Sequence, residues 1–362
     1  MVYVHVPFCE SFCTYCGFYS EICSPDSARE VQNLYVRALR REIEERRQEI
    51  GATLATDTLY IGGGTPSVLP AELLGQIVDS LGGGPWKEFT VEVNPEDIIR
   101  KGPAYAGALV AMGVTRVSMG VQSLSDRVLR FMGRRHDAEG AKRAVEILRG
   151  AGVGNLSLDL IFGISGMSDE EWRSSVEGVL ALHPEHISAY QLSIDPESAL
   201  ASMVERGDYV ECPEEDCRAQ YDFLCRRLGE AGYVHYEVSN FALPGKEAIH
   251  NSAYWKRVPY VGLGPGAHSF DGAGERKWNG TGLAGWSSSS ESLSAEDEAV
   301  ERIMLSLRTA AGIDAEELAS IADEDAVTRL KASGSLVLTQ EGRMRIAEDR
   351  FFVSDEIIRE LI

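Results

Sequence analysis

Val2-Tyr-Val-His-Val-Pro7-Phe-Cys9-Glu-Ser-Phe-Cys13-Thr-Tyr-Cys16 is the stretch from which the rest of the chain is read. Its first part is β-branched and aromatic, which predicts a short strand over 2–6 that ends at Pro7. Its second part sets three cysteines four and three residues apart. Thiolates at that spacing can converge on one inorganic cluster, and a four-iron cube normally takes four of them. Gly17-Phe18 stand where a fourth would have been, so three thiolates would leave one iron open. The competing reading is a structural zinc site. Zinc prefers four ligands in paired C-x2-C spacings, and no second pair exists here.

Five further strands follow the first, over 58–61, 89–93, 116–119, 156–161 and 186–192. Predicted helices lie between them over 26–50, 70–81, 105–112, 126–132 and 138–150. One more runs to 182 from the capping-box signature Ser168-Asp-Glu-Glu171. Strands alternating with helices predict a parallel sheet with helical crossovers. Polar or glycine-rich motifs follow nearly every strand, as in Gly62-Gly-Gly-Thr-Pro-Ser67, Asn94-Pro95-Glu96 and Gly120-Val-Gln122. That fits an incomplete (β/α)6 barrel, whose reactive residues gather at the C-terminal strand ends. An open doubly wound sheet would concentrate them at one switch point.

The pattern changes after Pro196. A helix is predicted over 214–232, followed by a run dense in aromatics and glycine. That run includes Tyr236-Glu-Val-Ser-Asn-Phe241, His250-Asn-Ser-Ala-Tyr-Trp255 and Tyr260-Val-Gly-Leu-Gly-Pro-Gly-Ala-His268, and reads as two or three strands extending the sheet. Trp286-Ser-Ser-Ser-Ser-Glu-Ser-Leu-Ser294 reads as a linker. The tail has helices over 296–309, 315–322 and 326–333, hairpin strands at 336–338 and 344–346, and a last helix after Ser354. This order is winged-helix-like. The expected division is a barrel over 1–200, an extension over 201–285 and a small helical, winged-helix-like domain over 295–362.

Composition sets outer bounds. The 362 residues are 44% hydrophobic and 25% charged, enough apolar material for a sizeable core. No apolar run approaches the roughly 20 residues a membrane span needs. The N-terminus reaches the cysteines without a basic region, so no signal peptide is expected and the cytoplasm is the default. Seven cysteines, three of them clustered, argue against a disulfide framework; Cys23, Cys212, Cys217 and Cys225 read as small packing residues. The formal charge of −21 disfavours nucleic acid and anionic lipid as partners.

Taken in order, the cysteine loop, 62–67, Glu92-Val-Asn-Pro95, Gly120-Val-Gln122, Met132-Gly-Arg134, Asp159-Leu-Ile-Phe-Gly163 and His186-Ile-Ser-Ala-Tyr-Gln191 make a specific set. It resembles the oxygen-independent coproporphyrinogen III oxidase group of radical S-adenosylmethionine (radical SAM) proteins. The runs at 236–241 and 250–255, Leu307-Arg-Thr and Gly312-Ile-Asp314 resemble that group's HemW branch of haem chaperones. The resemblance spans nearly the whole chain. It implies a radical SAM barrel with a [4Fe–4S] cluster on Cys9, Cys13 and Cys16, whose open iron chelates the methionine part of SAM.

By the same resemblance, Tyr3 and Gly63 belong with SAM, 62–65 hold its amino group and Glu92 takes its ribose hydroxyls. Tyr15, Gly64, Thr65, Gln122, Arg134 and Asp159 match positions that contact a second SAM in the oxidase. Their chemistry agrees: glycines admit close backbone approach, a carboxylate accepts paired hydroxyl donors, and arginine can grip a carboxylate bidentately. Each also has a plainer reading: Glu92 as a strand-end acid, Arg134 as a solvated helix-end arginine, Asp159 as a buried hydrogen-bonded acid. His250-Asn-Ser-Ala-Tyr-Trp255 resembles the branch's haem motif, with His250 as axial ligand and Tyr254 and Trp255 against the macrocycle. His268 is a second candidate, and His250 as a hydrogen-bonded core or turn histidine is the alternative.

The oxidase carries a cysteine two residues after its third cluster cysteine, and here that position is Phe18. This favours a haem-binding protein that delivers haem to a respiratory apo-protein over one that decarboxylates coproporphyrinogen III. The oxidase, or another radical SAM enzyme such as a methyltransferase, is the alternative. Reductive cleavage of SAM, its mere binding, and pairing with a second copy of the chain all stay open. Any membrane contact would come through a partner.

Overall fold

The computed structural model describes residues 1–23, 28–53 and 58–362. Six parallel strands form its centre: β1 Val2–Val6, β2 Thr58–Gly63, β3 Glu88–Val93, β4 Arg116–Gln122, β5 Leu156–Phe162 and β6 His186–Gln191. Each pairs in parallel with the next. Three later strands extend the two edges: β7 Val234–Glu237, β8 Asn240–Ala242 and β9 Val261–Leu263. The sheet runs β9-β1-β2-β3-β4-β5-β6-β8-β7. β9 joins in parallel, whereas β8 and β7 turn antiparallel.

The strands alternate with period two, but both faces are buried. One face is apolar, with Val4, Ile61, Val91, Val117, Leu158 and Ile187 all in the main core. The helices Ala71–Ser80, Pro95–Ala111, Ala138–Gly150 and Asp169–Leu180 contribute the same core's other half. The opposite face carries Tyr60, Glu92, Arg116, Ser118, Ser157, Asp159 and His186, which bond or act electrostatically on one another across strands, and Thr90, whose hydroxyl has no partner. A buried sheet with one polar face needs that face to enclose something, and the curved sheet makes it the wall of a lumen.

Several sequence boundaries move for local reasons. The helix predicted over 26–50 is two helices, Ala28–Glu45 and Arg47–Thr53; Asp26 and Ser27 lie outside the described residues. The helix predicted from 105 begins ten residues earlier, at Pro95, and runs through a kink at Gly102 (φ 68°) ahead of Pro103. Pro at a first helical position and the acids Glu96 and Asp97 favour that start. The capping box at Ser168 and Glu171 forms as its sequence signature predicts.

Two readings are corrected. The run 250–255 is a helix, Ile249–Trp255, and supplies no strand. The Glu88 carboxylate accepts the Ile249 and His250 N–H groups at 2.9 and 2.8 Å, satisfying orphan donors that a helix start exposes. The serine run is not a linker. Ser288–Ser292 (β12) pairs antiparallel with Glu275–Asn279 (β11), which in turn pairs with His268–Phe270 (β10). Its side chains are exposed, so composition gave no sign of the backbone ladder that holds it.

The tail runs helix Ala295–Leu307, β13 Ile313–Asp314, helices Ala315–Ile321 and Glu324–Ala332, β14 Leu336–Leu338, β15 Arg343–Ile346 and helix Ser354–Leu361. Its sheet order is β13-β15-β14, a winged-helix-like arrangement. Ile303, Leu307, Leu318, Leu330, Ile346 and Ile358 form a core of their own. At roughly 1.5–3 kcal/mol per buried aliphatic side chain, that cluster is what holds the tail folded. Among the described residues no helix is long and apolar enough to cross a membrane.

Candidate functional site

The two ends of the lumen carry different chemistry. At the C-terminal end, the chain leaving β1 closes a loop on itself. Phe8–Cys9 pairs in parallel with Glu21–Ile22, and Cys23 N–H donates to Cys9 O at 2.9 Å. The loop's middle is tied down by Thr14, whose N–H and hydroxyl donate to Met132 O and Phe131 O. Cys9, Cys13 and Cys16 are all free and half-buried. Burial raises the Cys9 and Cys16 thiols; Cys9 also feels Cys13, and Cys16 feels both Cys13 and Cys9. Among the described residues no three His, Cys, Asp or Glu side chains close around a single ion.

A hydrogen-bonded chain links this loop to three strand ends. Cys9 Sγ lies 3.5 Å from Thr65 Oγ1, which accepts from Asn94 Nδ2 at 3.1 Å. Asn94 Oδ1 accepts from Arg134 Nη2 at 2.7 Å, and Arg134 Nη1 lies 3.4 Å from Cys13 Sγ. Arg134 also donates to Gly120 O, while its buried Nε has no partner. Gly63 takes φ +112°, and a Cβ on Gly64 would meet Phe8 O at 2.8 Å. So the glycine turn is what lets β2 close against the cysteine loop.

Inside this rim stand two acids. Glu92 accepts from Tyr60 OH at 2.6 Å and from Gly63 N–H at 3.1 Å, and burial pushes its carboxyl up to about 7. Asp159 accepts from Ser118 at 3.3 Å and is pushed by burial up to about 6. Gln122 is held at φ +66° beside a register shift in β4. Such strain in a non-glycine residue concentrates at functional sites. Tyr15 is half-buried beside Arg134 and Cys13, while Tyr3 reaches His5 Nδ1 at 3.1 Å and lies 6.0 Å from the Tyr60 ring, deeper in the lumen.

The opposite end is closed by helix Ile249–Trp255. His250 is 0% exposed. Its Nδ1 pairs with Thr58 Oγ1 at 3.0 Å and its Nε2 with Tyr254 OH at 2.9 Å, so both ring nitrogens are engaged. Burial lowers it to about 3, and it stays neutral. As placed, the ring offers no nitrogen to an iron; it could do so only if Tyr254 released Nε2. Trp255 instead lines a cavity of about 1350 Å³. The strand starts at Glu88 and Thr115, Tyr236, and Arg302 and Arg343 of the tail line it too. His268 is exposed elsewhere, stacked against Trp278 at 6.3 Å.

Comparison with known proteins gives the lineage. A model of the radical SAM superfamily matches residues 3–178. The haem chaperone HemW of Mycobacterium tuberculosis is 33% identical over 389 residues, covering 100% of this chain and 94% of its own length. The haem chaperone HemW of Lactococcus lactis is 36% identical over 273 residues, covering 74% of this chain and 69% of its own length. The chain belongs to the HemW family of the radical SAM superfamily. Among solved structures, coproporphyrinogen III oxidase (HemN) from Escherichia coli aligns over 99% of this chain and 88% of its own. With a TM-score of 0.80 at 21% identity, it shares the fold.

The sequence reading named Cys9, Cys13, Thr65 and Arg134, which the structure links, but not Asn94, which joins Thr65 to Arg134, nor Tyr60 and Arg116 of the polar face. Asn94 was visible only inside a strand-end motif; it precedes helix Pro95–Ala111, but its side chain makes no cap bond and instead bridges Thr65 and Arg134. Tyr60 and Arg116 looked like ordinary strand residues. Only the register puts them on the polar face, Tyr60 beside Glu92 and Arg116 fully buried.

Proposed function

We propose that this chain is a haem chaperone that holds a [4Fe–4S] cluster on Cys9, Cys13 and Cys16 and binds SAM beside it. The observation that carries this is the Cys9–Thr65–Asn94–Arg134–Cys13 chain, which keeps two of the three free thiols beside the glycine turn and Glu92. The donor set fits: soft thiols for iron, positive charge from Arg134 next to them, and a carboxylate with remaining lone pairs for a ribose diol. When bound, the cluster supplies an electron to SAM or a coordination site for it. The protein's own part is to orient. Glu92 accepts hydroxyls, and Gly63 and Gly64 bring backbone close. Arg134 Nε has no bonding partner and is free to donate, and Gln122 is aimed by its strained backbone.

Haem fits the other end less directly. The cavity beside Trp255 is large enough for a macrocycle, and its wall carries Arg302, paired with Glu298 and Glu317, and Arg343, which donates to Ala311 O and Gly312 O. In this reading His250 anchors the helix that presents Trp255, and the acceptor of the haem is a respiratory apo-protein, as in the family. Phe18, 76% exposed in the cluster loop, leaves no thiol where the oxidase has one. The test is anaerobic reconstitution, a haem titration followed at the Soret band, and a parallel coproporphyrinogen III assay with SAM and reductant. Stoichiometric haem binding without protoporphyrinogen is expected. Protoporphyrinogen formation would replace this reading with the oxidase.

A further inference from the structure

Glu92 and helix Ile249–Trp255 lie at opposite ends of the lumen, yet one side chain touches both. Tyr60 stands on the polar face of β2. Its hydroxyl donates to Glu92 Oε1 at 2.6 Å, and its ring centroid lies 5.2 Å from that of His250, tilted 37°. His250 cannot shift alone. Thr58 of the same strand holds its Nδ1, Tyr254 its Nε2, and Glu88 its backbone N–H. Tyr254 in turn meets Tyr260 edge-on at 4.8 Å, where the chain enters β9. All of these side chains are largely or fully enclosed, and a close-packed interior passes a displacement on instead of absorbing it.

We infer that Tyr60 couples the two ends, so that a ribose-bearing ligand at Glu92 and a macrocycle beside Trp255 change each other's affinity. This rests on the functional reading above and adds the link between its two ligands. Glu92 now accepts two donors, Tyr60 OH and Gly63 N–H. A ribose diol brings two more to a carboxylate with about four lone-pair sites. That fills the carboxylate, and since the Gly63 amide is fixed in the turn, the phenol is the donor that re-aims to make room. Its ring then presses on or withdraws from His250, and helix Ile249–Trp255 moves with the imidazole that pins it. Tyr60 is therefore a positioning residue. By linkage the effect is reciprocal: whatever factor the nucleoside exerts on macrocycle binding, the macrocycle exerts on nucleoside binding.

The experiment uses full-length reconstituted protein, wild type and Tyr60→Phe, which keeps the ring and removes the hydroxyl. Haem affinity is titrated with and without S-adenosylhomocysteine, and each ligand's own affinity is measured separately. A second readout needs no haem: the ring NMR resonances of labelled histidine, with and without S-adenosylhomocysteine. The expected result in wild type is a change of about fivefold or more in haem affinity, together with a shift of the His250 resonance. In Tyr60→Phe both effects should collapse to near nothing while haem still binds. Equal coupling in the two proteins overturns the inference, as does no coupling in wild type when both ligands bind. If no haem binds at all, the chaperone reading fails separately. The histidine resonances still decide the relay: a ligand-induced shift lost in Tyr60→Phe supports it, and one retained in Tyr60→Phe, or absent from the wild type, overturns it.

Discussion

The two ends of the lumen are built from similar residue types and behave in opposite ways. At the C-terminal end, polar groups are bonded on one side and open on the other. Arg134 keeps a buried Nε without a partner, Glu92 and Asp159 sit above their ordinary carboxyl range, and three thiols are free. At the N-terminal end, both ring nitrogens of His250 are engaged inside the protein, and Glu88 accepts the N–H groups that start its helix. The lesson is that chemistry-bearing residue types mark a candidate, and the partners each side chain finds decide what it can still bind. Arg134 Nε beside free thiols makes the cysteine end a rim open to a ligand, while the unpartnered Arg116 nitrogens lie buried at the start of β4. Helix Ile249–Trp255 is a plug whose outer face, at Trp255, is the part available to a ligand.

The cysteines give the hardest test of this contrast. Cys9→Ala, Cys13→Ala and Cys16→Ala should each abolish the broad visible absorption of the anaerobically loaded protein. Cys212→Ala and Cys217→Ala, at the start of helix Glu214–Glu230 and outside the cysteine loop, should retain it. Iron analysis and absorbance check this, and equal loss in the second pair would break the assignment.

His250→Ala probes the plug. It leaves the Thr58 and Tyr254 hydroxyls without their partner and opens a cavity, which should cost about 2–4 kcal/mol of stability. Denaturant unfolding measures that cost. The Soret spectrum of bound haem should keep its axial signature, because the ring offers no nitrogen in this arrangement. A changed spin state with stability intact would make His250 a ligand and erase the difference between the two ends.

A smaller effect comes from pH. Burial raises Glu92 from 4.5 to about 7, so between those values the folded state holds a proton that the unfolded chain has released. Stability from this group is therefore greatest below about 4.5 and is lost as pH rises to about 7. Ligand binding should run the other way, since the ionised carboxylate is the better acceptor for ribose hydroxyls. Nucleoside affinity should rise through pH 7 while thermal stability falls, and Glu92→Gln should flatten both curves. Parallel curves would mean that Glu92 is not the acceptor.

Much of this was legible in the chain. Strand and helix order, the cysteine spacing and the capping box at Ser168 follow from local rules: period-two alternation, turn chemistry and donor satisfaction within a few residues. The serine run misled because its strand is held by backbone bonds to Glu275–Asn279, to which side-chain composition is blind. His250–Trp255 misled because its helix starts on a carboxylate from Glu88, more than 160 residues earlier. Local spacing was enough to predict the barrel and to single out the three clustered cysteines. Only the tertiary structure decided which polar groups are spent, because a hydrogen bond between residues far apart in the chain leaves no mark on either neighbourhood. That is why the cysteines could be named from their spacing, while the role of His250 waited on Thr58 and Tyr254.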